Sequence, residues 1–266
     1  MLGAVLFAGQ GQARDLPPGL AFHGPPGVTG LIYLPDPLAA PSPWPAALLV
    51  HDLFGLDTRA LPTIAQLGAG GILALEVETD ANPLDGVPPP QREARVAARH
   101  VAEAADMLAG DPRVDPARIG AVGFGTGARA VALAHRVRPF AAVVLLYPGC
   151  GGLLETLRDT DAETGRRWPV GSPVLLLHGA DDPANAEGDC RALAAELGGA
   201  NLHRHRSYRG ATYAWDLPQT GGGGTTLQPS PDGRGTVPAR YWPELAQFSA
   251  AQVTEFLFRV LVAGPR

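Results

Sequence analysis

Five residues near the middle of the chain, Gly123-Phe124-Gly125-Thr126-Gly127, stand where a short apolar run (Ile119–Val122) gives way to a helical pattern of small residues. A sharp Gly-x-Nuc-x-Gly turn between strand and helix lifts its middle residue above a sheet, the place for a Ser or Cys that attacks a carbonyl. Here the middle residue is Gly125, whose hydrogen side chain cannot form an acyl-enzyme. Further segments carry groups of the right kind to surround such a turn. Leu48–Leu56 (LLVHDLFGL) runs into His51 and Asp52, Leu176–Asp182 (LLHGADD) into Asp181 and Asp182, and Tyr208–Asp216 (YRGATYAWD) holds Tyr213. The chemistry suited to such a grouping is acyl transfer. A histidine takes the nucleophile's proton and returns it to the leaving group, held in register by an acid.

Apolar runs alternating with helical patterns would position these groups, and that alternation marks a parallel sheet with crossover helices. Strands are predicted at Gly30–Leu34, Ala46–His51, Ile72–Val77, Ile119–Val122, Ala141–Tyr147, Val174–His178 and Leu202–Tyr208. Several are continuously apolar, as strands buried on both faces should be. Helices are predicted near Thr58–Gly68, Pro90–Ala109, Thr126–Val137, Ala184–Leu197 and Trp242–Val262. Two stretches break the rhythm: the Pro-rich Thr79–Pro90 and the turn-rich Pro218–Pro238. Loops of that length in a compact domain are functional or disordered.

Taken in order, the segments resemble the dienelactone hydrolase family of the α/β-hydrolases. Leu48–Leu56 is similar to that family's strand ending in His-Glu-x-x-Gly-Leu, Gly123–Gly127 to its elbow, and Leu176–Asp182 to the turn that carries the triad acid. Tyr208–Asp216 is similar to Tyr-Pro-Gly-Ala-x-His-x-Phe-Asp, and the likeness extends from about Gly27 to Leu261. The resemblance implies an α/β-hydrolase fold, a mostly parallel twisted sheet with helices on both faces, in one domain over residues 17–263. It implies a hydrolase of carboxylic esters or lactones, needing neither cofactor nor metal. Position by position, the acid is Asp182, the nucleophile position is Gly125, and the histidine position is Tyr213. Asp52 stands where many members have Glu, and the backbone amides of Leu53 and Thr126 would form the oxyanion hole. A tyrosine, with a pKa of about 10, cannot act as the histidine does at neutral pH. Losing the nucleophile alone costs on the order of 10⁶ in turnover. The two function classes are therefore a hydrolase working through an unorthodox site and a non-catalytic relative. The latter would bind a small carbonyl compound or a protein partner in the old pocket.

Individual residues leave alternatives open. Thr126 is either a displaced nucleophile or a cap at the start of its helix. Tyr213 either plugs the site by bonding to Asp182 or donates a proton to a ligand. His51, Asp52 and Phe124 sit at strand ends, where pockets form in open α/β sheets; His51 is equally readable as a satisfied structural histidine. His203 and His205 alternate, so both project from one strand face, as an edge strand kept soluble by charge or as a metal pair lacking a third ligand in sequence range. Glu76, Glu78, Asp80 and Asp85, around the Pro-rich loop, read as solvated. Glycine at position 125 relieves backbone strain worth roughly 1–3 kcal/mol, so Gly125→Ser is expected to destabilise the fold slightly.

The chain's net charge of −5 and pI near 5.8 argue against nucleic acid or an anionic membrane as partner. All the basic residues are Arg and none is Lys, which excludes Schiff-base chemistry on a lysine. Residues 1–13, apolar and then small and polar, resemble the tail of a secretory signal with Gly11-Gln12-Ala13 as a loose cleavage site, although the basic n-region is missing. The expected location is periplasmic or secreted, in a bacterium, with the cytoplasm as the alternative. The two cysteines, Cys150 and Cys190, each follow a predicted strand, and consecutive strands tend to be neighbours. They form either a disulfide or two buried thiols that never meet.

Overall fold

The computed structural model describes residues 19–52, 55–79, 90–169, 171–198, 203–218 and 224–264. The possible signal segment and the centre of the Pro-rich loop, with Asp80 and Asp85, lie outside the described residues. One eight-stranded sheet runs in the order β1-β2-β4-β3-β5-β6-β7-β8. Its strands are β1 (Leu20–His23), β2 (Val28–Tyr33), β3 (Trp44–Val50), β4 (Leu73–Thr79), β5 (Val114–Phe124), β6 (Ala142–Leu146), β7 (Val174–Gly179) and β8 (His203–Tyr208). From β4 to β8 neighbours are parallel, and β1 and β2 join antiparallel at one edge.

Every predicted strand is present, and β3, β6 and β7 are buried along almost their whole length, which demands the continuous apolar runs seen there. The helices are α1 (Leu61–Ala69), α2 (Pro90–Ala109), α3 (Thr126–His135), α4 (Cys150–Thr164), α5 (Glu187–Glu196) and α6 (Pro243–Leu261). Buried residues of α2, α3, α4 and α5 pack on one face of the sheet, and those of α1 and α6 on the other. This is a three-layer α/β architecture. Strand β3 lies between β4 and β5, so the chain winds outward from that point in both directions. In open α/β sheets ligand sites form at the carboxyl ends of strands flanking such a switch point. Among the described residues, no helix is long and apolar enough to cross a membrane.

Four elements go beyond the sequence reading. β1 is an exposed strand with only Phe22 facing inward. Helix α4 begins Cys-Gly-Gly, poor helix formers that mask a later apolar face of Leu153, Leu154 and Leu157. The described part of the turn-rich insertion is an antiparallel pair, β9 (Thr226–Pro229) with β10 (Thr236–Ala239). Cys150, the first residue of α4, is bonded to Cys190 in α5 across a sequence separation of 40. In the chain-entropy model a loop of that length is worth about 4 kcal/mol. Urea unfolding with and without reductant should therefore differ by up to that amount, and superimposable curves would contradict it.

Candidate functional site

The turn between β5 and α3 makes each glycine do a different job. Gly125 has φ +53° and ψ −116°, a conformation that residues bearing a side chain rarely adopt. A Cβ at Gly127 would lie 2.2 Å from the Val50 carbonyl oxygen, so only glycine lets α3 start this close to the end of β3. A Cβ at Gly125 would meet side chains instead: the Tyr213 hydroxyl at 2.2 Å and the Asp52 carboxylate at 2.4 Å. The space above the elbow is thus already occupied.

Its occupants are bonded to each other. Tyr213 is fully buried and donates its hydroxyl proton to Asp52 Oδ2 in a short hydrogen bond. The other oxygen, Asp52 Oδ1, accepts from the Thr126 backbone amide (3.1 Å) and the Thr126 hydroxyl (2.8 Å). The amide expected to cradle an oxyanion therefore holds an internal carboxylate; the second expected amide, Leu53, lies outside the described residues. Burial, then the Asp52 charge and hydrogen bond, push the Tyr213 phenol well above its ordinary pKa, so it stays protonated. The expected bond from Tyr213 to Asp182 is not made, because a phenol has one proton and Asp52 takes it. The backbone of Tyr213 is held in turn by β10, through a parallel bridge to Ala239 and a 3.2 Å bond to the Pro238 carbonyl.

Beneath this pair lies a charged layer that sequence reasoning missed. Asp57 caps the short 3₁₀ turn Thr58–Ala60, accepting from the Arg59 amide, and the same carboxylate takes the Arg59 guanidinium at 2.8 Å. Buried Arg59 also lies 3.9 Å from Asp52 and donates to the Tyr147 hydroxyl (3.1 Å), which donates to Asp216 (2.6 Å). Burial lifts Asp216 to about 6, against the pull of Arg59. His51 and Phe124 belong to the same layer: both are buried, their rings 5.7 Å apart. His51 Nε2 meets Glu76 at 2.8 Å, with Asp57 3.6 Å from Nδ1. Burial opposes charge on His51, but these two carboxylates outweigh it and raise its pKa. His51 is thus buried and paired through Nε2, while its Nδ1 has the Asp57 contact but, among the described residues, no hydrogen bond. Glu76 is correspondingly not solvated as the sequence suggested. It is buried and also accepts from Tyr33 (2.7 Å), while Glu78 is exposed.

Asp182 follows β7, but its acceptors are spent locally, on the Ala184 amide (3.0 Å) and Asn185 Nδ2 (2.8 Å). Asn185 in turn accepts from the Gly149 and Cys150 amides at the start of α4. Asp182 is thus a structural cap tying the 3₁₀ turn Pro183–Asn185 to α4. Burial raises its pKa to about 6, with the Asn185 and Ala184 bonds pulling the other way. Between about pH 4 and 6 the folded chain then holds a proton that the unfolded chain has released, so this group's contribution to stability falls as pH rises. The stability of the wild type relative to Asp182→Asn should drop by about 3 kcal/mol across that window. A pH-independent cost of the substitution cancels in this comparison, and a flat difference would contradict the assignment.

A β5–turn–α3 elbow at the centre of a mostly parallel sheet, with the second segment at the end of β3, the third at the end of β7 and the fourth beyond β8, defines an α/β-hydrolase. The model of the dienelactone hydrolase family matches residues 84–240. The chain belongs to the dienelactone hydrolase family. Among solved structures it is similar to a dienelactone hydrolase-like promiscuous phosphotriesterase from metagenomic libraries, with 20% identity, a TM-score of 0.66 and coverage of 91% of this chain and 97% of that one. It is also similar to esterase 2 of Thermogutta terrifontis, solved phosphorylated by paraoxon, with 14% identity, a TM-score of 0.63 and coverage of 95% and 98%. At these identities the likeness speaks for the fold alone. No curated protein matches the sequence.

Proposed function

We propose that this chain is a non-catalytic member of the dienelactone hydrolase family, in which the ester- or lactone-cleaving site has become an internal structural lock. The observation that carries this reading is the Tyr213–Asp52–Thr126 arrangement. A phenol and a carboxylate stand where a nucleophile's side chain would project, and the carboxylate takes the amide an oxyanion would need. A small carbonyl ligand entering here would have to displace a buried hydrogen-bonded pair, which argues against the former pocket as a binding site as well as a catalytic one. The Thr126 hydroxyl donates to Asp52, a carboxylate that also accepts from Tyr213 and lies 3.9 Å from the Arg59 guanidinium, which supports a role for Thr126 as a positioning group at the head of α3. The Cys150–Cys190 bridge supports an oxidising compartment, periplasmic or outside the cell.

The test is turnover of p-nitrophenyl acetate and a small lactone by the purified chain, beside the Thr126→Ala and Gly125→Ser/Tyr213→His variants. The expected result is buffer-level rates for the wild type and for Thr126→Ala. The double variant should also be silent, because Asp52 still occupies the elbow. Wild-type turnover that disappears in Thr126→Ala would overturn the reading.

A further inference from the structure

Away from the elbow, on the α5 side of the sheet, two histidines and a glutamate converge at its edge. His178 is the penultimate residue of β7, and His205 lies on β8, the last strand of the sheet. The strands are parallel, with His205 opposite Leu176, so His205 and His178 share a face. Glu187, the first residue of α5, closes the third side. The potential ligand atoms all lie within 4.8 Å of one another. Nε2 of His178 is 2.8 Å from Nε2 of His205 and 3.4 Å from Glu187 Oε2.

We propose that His178, His205 and Glu187 form a binding site for a divalent transition-metal ion of the zinc class, completed by solvent. The donor set, two imidazoles and one carboxylate, is one that zinc accepts with an open fourth position, and it does not suit magnesium or calcium. The tautomer is set correctly. His178 Nδ1 is 3.1 Å from the Gly179 carbonyl oxygen, which can only accept, so the proton sits on Nδ1 and the Nε2 lone pair faces His205. A backbone carbonyl in that position is the usual second partner of a metal-bound imidazole. Both histidines are kept neutral by burial, which lowers their pKa values, so no proton has to be driven off a charged ring at neutral pH.

The frame around the site is rigid on two sides and yielding on the third. His178 is fully buried, and α5 is fastened to α4 by the disulfide one turn beyond Glu187. His205 is half-buried on the edge strand and Glu187 is exposed. The ring centroids are 4.9 Å apart with planes 13° from parallel, so with Nε2 atoms 2.8 Å apart the two nitrogens point nearly at each other and share one proton. Tetrahedral bonds of about 2.05 Å to one ion require nitrogens about 3.3 Å apart. Loading therefore requires His205 to carry its proton on Nδ1 instead of Nε2, a tautomer exchange through solvent that leaves both rings neutral, and turns the two lone pairs toward a common point as the pair opens by about 0.5 Å, a movement the edge strand can supply. Arg191, on the next turn of α5, opposes positive charge at His205. Occupancy would fasten the edge strand β8 to β7 and α5.

The experiment uses tag-free, disulfide-intact protein, stripped with chelator, exchanged into chelator-free buffer and titrated with zinc chloride by calorimetry. Cobalt(II) serves as a spectroscopic probe. The expected result is one ion per chain, a visible cobalt band displaced by zinc but not by magnesium, and a melting temperature that rises with zinc. Glu187→Gln, at an exposed position, should weaken binding at least about tenfold. His205→Gln should abolish both the cobalt band and the zinc-dependent shift. If His205→Gln fails to fold, Glu187→Gln decides alone. Absence of saturable binding, or binding unchanged by Glu187→Gln, would overturn the proposal and leave a shared-proton histidine pair.

Discussion

Gly125→Ser is expected to destabilise the fold by about 3 kcal/mol, from backbone strain and overpacking together, and to confer no esterase activity. Strain alone would make the change mild, as the sequence suggested. The larger effect comes from what the new Cβ would meet: Tyr213 Oη at 2.2 Å and Asp52 Oδ2 at 2.4 Å, both in a buried hydrogen bond. Neither is the loose end of a surface chain. Tyr213 is wedged edge-on against Tyr147, their rings 5.0 Å apart, and its backbone is bonded to β10. A double-mutant cycle of Gly125→Ala with Tyr213→Phe, followed by urea unfolding, should show a coupling above about 1 kcal/mol, because the phenylalanine removes one of the colliding atoms. Strict additivity would mean that the clash is relieved elsewhere.

Asp52→Ala should cost about 3–5 kcal/mol, among the largest effects of any single substitution in the chain. The carboxylate serves Tyr213 and both polar hydrogens of Thr126, and it lies 3.9 Å from the Arg59 guanidinium. Its removal leaves the phenol and the amide without their acceptor in a buried setting, where each orphaned group costs roughly 1–3 kcal/mol. Asp52→Asn keeps an acceptor at similar geometry and should cost clearly less. Stability of Asp52→Ala within about 0.5 kcal/mol of wild type, the range of ordinary surface changes, would mean that Asp52 does not hold the elbow together.

The relation of sequence to structure is plainest where one physical demand dominates. β3, β6 and β7 must bury both faces, so their runs are unbroken and readable. β1 has one inward side chain and α4 starts with two glycines, so neither announces itself. At the site, positions 125, 182 and 213 are marked by local spacing, but their partners are not. Tyr213 and Asp52 are separated by 161 residues, and no local pattern states that a tyrosine will reach back to that carboxylate in preference to Asp182. Arg59, Tyr147 and Asp216 form a buried chain of donors and acceptors assembled from three separate segments. The histidine pair shows the same limit. His205 is suggestive by its alternation with His203, whose side chain lies outside the described residues. Its partner His178, however, comes from the neighbouring strand and could not be counted along the chain.

On the proposed reading nothing at the elbow acts as a nucleophile, and a fluorophosphonate reports on that directly. The purified chain is incubated with a large excess of the reagent, its intact mass is measured, and any adduct is mapped by peptide mass spectrometry. The expected result is the unmodified mass, with no adduct on any residue around Gly125. A stoichiometric adduct on Thr126, or on any other residue around Gly125, would contradict it.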